Sequence, residues 1–60
     1  MNRLPDDPMI LASSINMMLR DGEYEDLDDI CSAFDRDRAE IDSKLASAGM
    51  SYDPSLNKVR

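Results

Sequence analysis

The chain is expected to be all-α: a compact three-helix bundle with a helix-turn-helix-like corner between its second and third helices and an ordered C-terminal tail. Three observations lead there. Sixty residues with no Trp, two Tyr, one Phe and a lone Val, Val59, must build a core from Leu, Ile, Met and Ala. That composition suits helices better than a sheet of β-branched and aromatic residues. Apolar residues recur at helical spacing in three successive segments, each opened by an aspartate suited to capping and closed by a turn signal. The chain is also short enough that about 60% of its unfolded surface is all it can bury, so one domain spanning residues 1–60 accounts for it.

The first helix, about residues 8–20, is announced by Asp7 as N-cap and Pro8 at the first helical position, where no backbone donor is needed. Counting 100° per residue puts Leu11, Ala12, Ile15, Met18 and Leu19 on one face, with Ile10 and Met17 on an adjoining flank. Met9, Ser13, Asn16 and Arg20 are left to face outward. The apolar arc is wider than a surface helix needs, so the helix is either central or its flank meets a partner. Gly22 supplies the stop.

The second helix, about 26–35, starts at Asp26 with Asp29 as a weak capping-box partner, and Leu27, Ile30, Cys31 and Phe34 form its buried stripe. A corner at Asp35-Arg36 leads to the third helix, about 37–48, where Asp37 and Glu40 make a D-x-x-E box. Ile41, Leu45 and Ala48 are its buried face. Its outward face, Ala39, Ser43, Ala46 and Ser47, is made of small residues. In the tail, 49–60, Asp53-Pro54 marks a turn, and Met50, Tyr52, Leu56 and Val59 are placed to cover the open end of the core. A short strand near Tyr52 is expected to pair with the region of Tyr24.

Five segments, "LPDDP" (Leu4 to Pro8), "INMMLRDGEY" (Ile15 to Tyr24), "LDDIC" (Leu27 to Cys31), "EIDSKLASAG" (Glu40 to Gly49) and "YDPSLN" (Tyr52 to Asn57), together resemble a family of small bacterial proteins, domain of unknown function 4250. The resemblance covers nearly the whole chain. It implies a bacterial, cytoplasmic, stand-alone protein, and it implies no activity, because the family carries none.

The residues themselves weigh against catalysis. Histidine is absent, so Ser13, Ser14 and Cys31 have no imidazole to activate them. Ser13-Ser14 lies within a helix, where small side chains permit close packing, and Cys31 sits in an apolar stripe, where a thiol resists ionisation. One cysteine excludes an internal disulfide and fits a reduced cytoplasm. Zinc needs several Cys or His ligands. The segment "DLDDICSAFDRD" fails as a calcium loop, since Ile30 and Cys31 occupy positions five and six of the pattern. The longest unbroken apolar run is Met9 to Ala12, so neither a signal peptide nor a membrane span is expected. No catalytic, cofactor-binding or metal residue is assigned, and no small-molecule substrate.

Charge ranks the partners. Nine acids lie between Glu23 and Asp42 against Arg36 and Arg38, a local net of −7. The other forty residues carry four acids and five bases, a net of +1. A helix-turn-helix holds phosphates through Lys and Arg near its second helix, whereas here Asp35, Asp37, Glu40 and Asp42 surround both arginines. DNA binding is therefore the alternative. The leading expectation is a non-catalytic protein-interaction module, as a homodimer or with another protein. Its candidate interface is Ile10, Ser13, Ser14 and Met17, with the small face Ala39, Ser43, Ala46 and Ser47, and Glu25, Asp28 and Asp29 form an acidic face for a basic partner.

Overall fold

A computed structural model describes residues 3–60; Met1 and Asn2, part of the single domain expected over residues 1–60, lie outside the described residues. The element order is α1 (Pro8–Arg20), α2 (Leu27–Ala33), α3 (Arg38–Ala46), β1 (Tyr52–Asp53) and β2 (Lys58–Val59). The three helices surround a core in which Leu11, Ile15, Leu27, Ile30, Ile41 and Leu45 are fully buried. Ala12, Leu19, Cys31 and Val59 complete it, as does Leu4, which belongs to no periodic segment and was not expected there. No polar or charged residue among those described is buried, so the core side chains are apolar throughout.

Each helix starts on an aspartate. Asp7 accepts from the Ile10 N–H at 3.0 Å, Asp26 from Asp29 at 2.9 Å and Asp37 from Ala39 at 3.2 Å. These bonds occupy backbone donors that the first helical turn leaves free. The two expected capping boxes close differently. Asp29 reaches back to the Glu25 N–H, one residue before the cap, at 3.1 Å. Glu40 does not reach back at all, because the Arg36 Nε takes its carboxylate at 2.9 Å.

The helices also end alike. At α1 the Gly22 N–H bonds to Leu19 O and the Glu23 N–H to Met18 O, with Gly22 at φ 78°. At α2 Asp35 bonds to Ser32 O and Arg36 to Cys31 O, and beyond α3 Gly49 bonds to Ala46 O and Met50 to Leu45 O. This pair of bonds is the Schellman arrangement, and it needs a left-handed residue where the chain turns out of the helix. Asp35, at φ 55°, fills that role without being glycine. The expected helix ends are corrected accordingly: α2 stops at Ala33 instead of Asp35, and α3 runs from Arg38 to Ala46, because Asp37 is an extended cap and residues 47–49 form a turn.

The tail forms a hairpin. β1 and β2 pair antiparallel with Tyr52 opposite Val59 and Asp53 opposite Lys58, and Ser51 and Arg60 exchange two further backbone bonds of 2.9 Å. The strand at Tyr52 thus exists, but its partner is Val59 and not the Tyr24 region. Closing a short loop costs less chain entropy than pairing across some thirty residues. The Asp53 carboxylate organises that loop by accepting from the Ser55 N–H at 3.0 Å and the Ser55 hydroxyl at 2.8 Å. Tyr24 packs against Phe34 instead, ring centroids 6.2 Å apart.

Two asparagines fasten the hairpin to the helices. Asn16 donates to Val59 O at 3.0 Å and accepts from the Val59 N–H at 2.7 Å, so its side-chain amide takes the place of a neighbouring strand. Asn57 donates to Glu25 O at 2.9 Å and accepts from the Tyr52 hydroxyl. Asn16 is consequently half-buried and does not face outward as helical counting suggests. Leu56 does not cover the core either: it lies at the hairpin tip, more than half exposed, while Val59 fills the end of the core.

Candidate interaction surface

Two surfaces emerge from this fold, one on the outside of α1 and the other on the α2–α3 corner. On α1 the inward residues are used up by the core, yet Met9, Ile10 and Met17 remain 63%, 57% and 54% exposed, and Leu56 from the hairpin joins Met17 at 53%. Ile10 and Met17 are two helical turns apart and therefore share a face. Between them lie Ser13, exposed, and Ser14, half-buried, so the middle of the stripe has no bulk. The expected interface residues Ile10, Ser13, Ser14 and Met17 thus form one continuous surface.

Beside Met17 the docked hairpin creates an open groove of about 510 Å³, with Met17 and Leu56 as apolar lining and Arg20 and Lys58 at its edge. No acid lines it. The ion pairs within 4.0 Å among the described residues engage Arg36, Arg38, Lys44 and Arg60. Arg20 and Lys58 take part in none of them. The groove thus combines apolar floor and unpaired positive charge on an otherwise acidic chain.

The corner is built the other way. Arg38 is held by Asp28 at 2.7 Å and by Asp42 at 3.1 Å, and its guanidinium stands 5.1 Å from the Tyr52 ring centroid, tying α2, α3 and the hairpin together. Partial burial opposes the Arg38 charge, but the two carboxylates outweigh it and raise its pKa. Arg36 is raised chiefly by its hydrogen bond to Glu40, which in return holds the Glu40 carboxyl below its ordinary value. At the neighbouring edge Lys44 bonds to Asp6 at 3.0 Å and lowers that carboxyl as well.

Of the expected acidic face, Asp28 and Asp29 use their carboxylates within the fold, whereas Glu25 contributes only its backbone carbonyl. Asp28 holds Arg38, Asp29 caps toward Glu25, and the Glu25 carbonyl receives Asn57. Glu25, Asp26 and Asp28 border a second hollow together with Arg38 and Tyr52. Among the described residues no group of three or more His, Cys, Asp or Glu is arranged to hold a metal ion. Cys31 is buried, and burial pushes its thiol above the ordinary value. The small face Ala39, Ser43, Ala46 and Ser47 is exposed on α3, and none of these residues lines the groove beside Met17. No helix among the described residues is long and apolar enough to cross a membrane.

Fold and surface together define a small three-helix domain clasped by a C-terminal hairpin, with an apolar stripe left uncovered on its first helix. The chain belongs to the family described as Domain of unknown function (DUF4250), whose model matches residues 5–59. No curated protein and no solved structure matches it.

Proposed function

We propose that this protein is a non-catalytic protein-interaction module whose contact surface is the outer face of α1, where it takes either a second copy or another protein. The observation that carries the reading is the exposure of Ile10, Met17 and Leu56 on one side of a domain with few large apolar residues to spare. A chain this small gains stability from every apolar group it buries, so several left in one stripe favour a surface completed by association. Methionine beside serine suits such a surface, because a flexible thioether adapts to its partner and a small residue lets backbones approach. A reducing cytoplasmic setting goes with this reading, since the one thiol is buried and needs no disulfide partner, and a bacterial one is what the family resemblance implies.

The test is capture from a lysate of the cells that make the protein, comparing wild type with Met17→Glu and Asp28→Lys. Loss of the captured protein, or of the co-purifying second copy, with Met17→Glu and its retention with Asp28→Lys is the expected outcome. Capture unaffected by Met17→Glu would refute the reading.

The helix-turn-helix alternative rests on the α2–corner–α3 layout. Its arginines already carry carboxylate partners, and contact with phosphate would require breaking three ion pairs in a strongly acidic segment. A gel shift at low salt with pooled genomic fragments discriminates: binding that fades steeply with added salt would favour DNA.

A further inference from the structure

We propose that the outer face of α1 pairs antiparallel with the same face of a second copy about a twofold axis that passes between Ser13 and Ser14. This rests on the reading of α1 as a protein contact and names the partner. The argument is self-complementarity. When Ile10 is set opposite the partner's Met17, the antiparallel register brings Ser13 opposite the partner's Ser14 and Asp7 opposite the partner's Arg20. Each of these pairs occurs twice around the axis, as an isologous interface requires.

The chemistry of each pair suits its place. The large apolar side chains, Ile10 and Met17, meet on both sides of the axis, and both are more than half exposed in the single chain. The serines fall at the crossing point, where small side chains let two helices approach closely. At the ends, the acidic start of one α1 faces the basic end of the other. Asp7 uses one carboxylate oxygen to cap α1 at the Ile10 N–H, leaving the other for a guanidinium. Arg20 has no carboxylate within ion-pair distance among the described residues of its own chain.

The groove beside Met17 extends the match. It lies under the N-terminal end of the partner's α1, so Leu56 adds to the apolar contact and Lys58 lies near the partner's acids. Asp21 falls opposite the partner's Asp6, a like pair, but Asp6 is already neutralised by Lys44 at 3.0 Å. A parallel pairing would instead stack Arg20 on Arg20 and Asp7 on Asp7. The register is thereby specified by charge as well as by shape.

The area sets the strength. A standard interface takes about 800 Å² from each partner, a large share of the 3929 Å² this chain exposes. One helix face with a hairpin tip supplies less. The pairing is therefore a reversible one that dilution dissolves.

The experiment is disulfide trapping combined with sedimentation of the full chain. Ser13→Cys and Ser14→Cys lie within reach of a symmetric or cross-axis disulfide, whereas Ser43→Cys on the small face of α3 does not. Buried Cys31 stays out of the reaction, and the wild type run alongside controls for it. Under mild oxidation the two α1 variants are expected to trap covalent dimers and Ser43→Cys to remain monomeric. In sedimentation Arg20→Glu should raise the dimer dissociation constant about tenfold, with helicity by circular dichroism unchanged. A wild type that stays monomeric up to concentrations near saturation, or a dimer trapped by Ser43→Cys and indifferent to Arg20→Glu, would overturn the proposal. Because lysate capture through Met17 is scored separately, a monomer that still captures another protein refutes self-pairing and leaves the α1 contact standing.

Discussion

The outer face of α1 and the α2–α3 corner are both exposed, but they treat their surface groups in opposite ways. At the corner Arg36 and Arg38 each have a carboxylate, Asp26 and Asp37 cap helices, and Asp28 and Asp42 receive the Arg38 guanidinium. On the outer face of α1 large apolar side chains stay exposed, and Arg20 on α1 and Lys58 on the adjoining β2 have no ion-pair partner among the described residues. The difference teaches where the molecule uses its charge internally: the arginines of the helix-turn-helix-like corner are held by carboxylates of the same chain. Charge at the corner holds two helices and a hairpin together, and the proposed contact lies on the face without such internal pairs.

The comparison breaks most visibly where α1 turns inward. A chain of this size has about 3–9 kcal/mol of total stability, and Ile15 is fully buried. Ile15→Ala should cost about 3 kcal/mol through lost burial and a residual cavity, leaving the domain partly unfolded in urea titration. Met17→Ala, two residues along and outward, should leave the midpoint almost unchanged. If both variants unfolded alike, the division of α1 into a core face and a contact face would be wrong.

Next in size is the clasp. Asn16→Ala removes both bonds to Val59 and leaves a backbone donor and acceptor beside a buried residue. A loss of about 2 kcal/mol is expected, with fast amide exchange at Val59 and Arg60 while the centres of α1 and α3 stay protected. Uniform loss of protection throughout the domain would show instead that the hairpin and helices unfold as one unit.

At the corner the effects are smaller. Asp35→Gly relieves a left-handed aspartate and should stabilise by about 0.5–1 kcal/mol, seen as a higher urea midpoint. Gly22→Ala, where φ is also positive, should move the midpoint the other way. Arg38→Met, which breaks two half-exposed ion pairs but keeps the stem, should cost under about 1 kcal/mol because solvent screens such pairs.

Acid gives the mildest effect. The carboxyls of Glu40, Asp6 and Asp53 all titrate below their ordinary values, through the hydrogen bonds from Arg36, Lys44 and Ser55 respectively. A carboxyl lowered in the folded state lends stability that is fully present above its unfolded pKa and is lost as pH falls through the lowered one. Melting temperature should therefore be flat near neutral pH and decline below about pH 4. Glu40→Gln should make that decline slightly shallower. A melting temperature that rises on acidification would contradict these pairings.

Much of the helical body was legible in the sequence for a physical reason. Asp7, Asp26 and Asp37 cap by local rules, and Leu27, Ile30 and Cys31 or Ile41 and Leu45 recur at the period that buries one face. The exposed flank Ile10/Met17 followed from the same counting. The pairs Arg36–Glu40 and Arg38–Asp42 are spaced four apart and carry that signal too, whereas Arg38–Asp28 depends on how two helices cross. Leu4 and Asn16 gave no local signal. Their roles come from chain segments that return from far away, and counting along one helix places a lone asparagine in water unless a strand edge comes to meet it. The hairpin partner was missed likewise, because the strand propensity at Tyr52 does not say which segment completes the pair.

The most direct test is to record backbone amide chemical shifts while a concentrated solution of the protein is diluted. The account predicts shifts that move with concentration along Ile10 to Arg20 and at Leu56 to Lys58, with Asp28 to Asp42 unmoved. Movement confined to Asp28 to Asp42, or none anywhere, would contradict the self-pairing of α1.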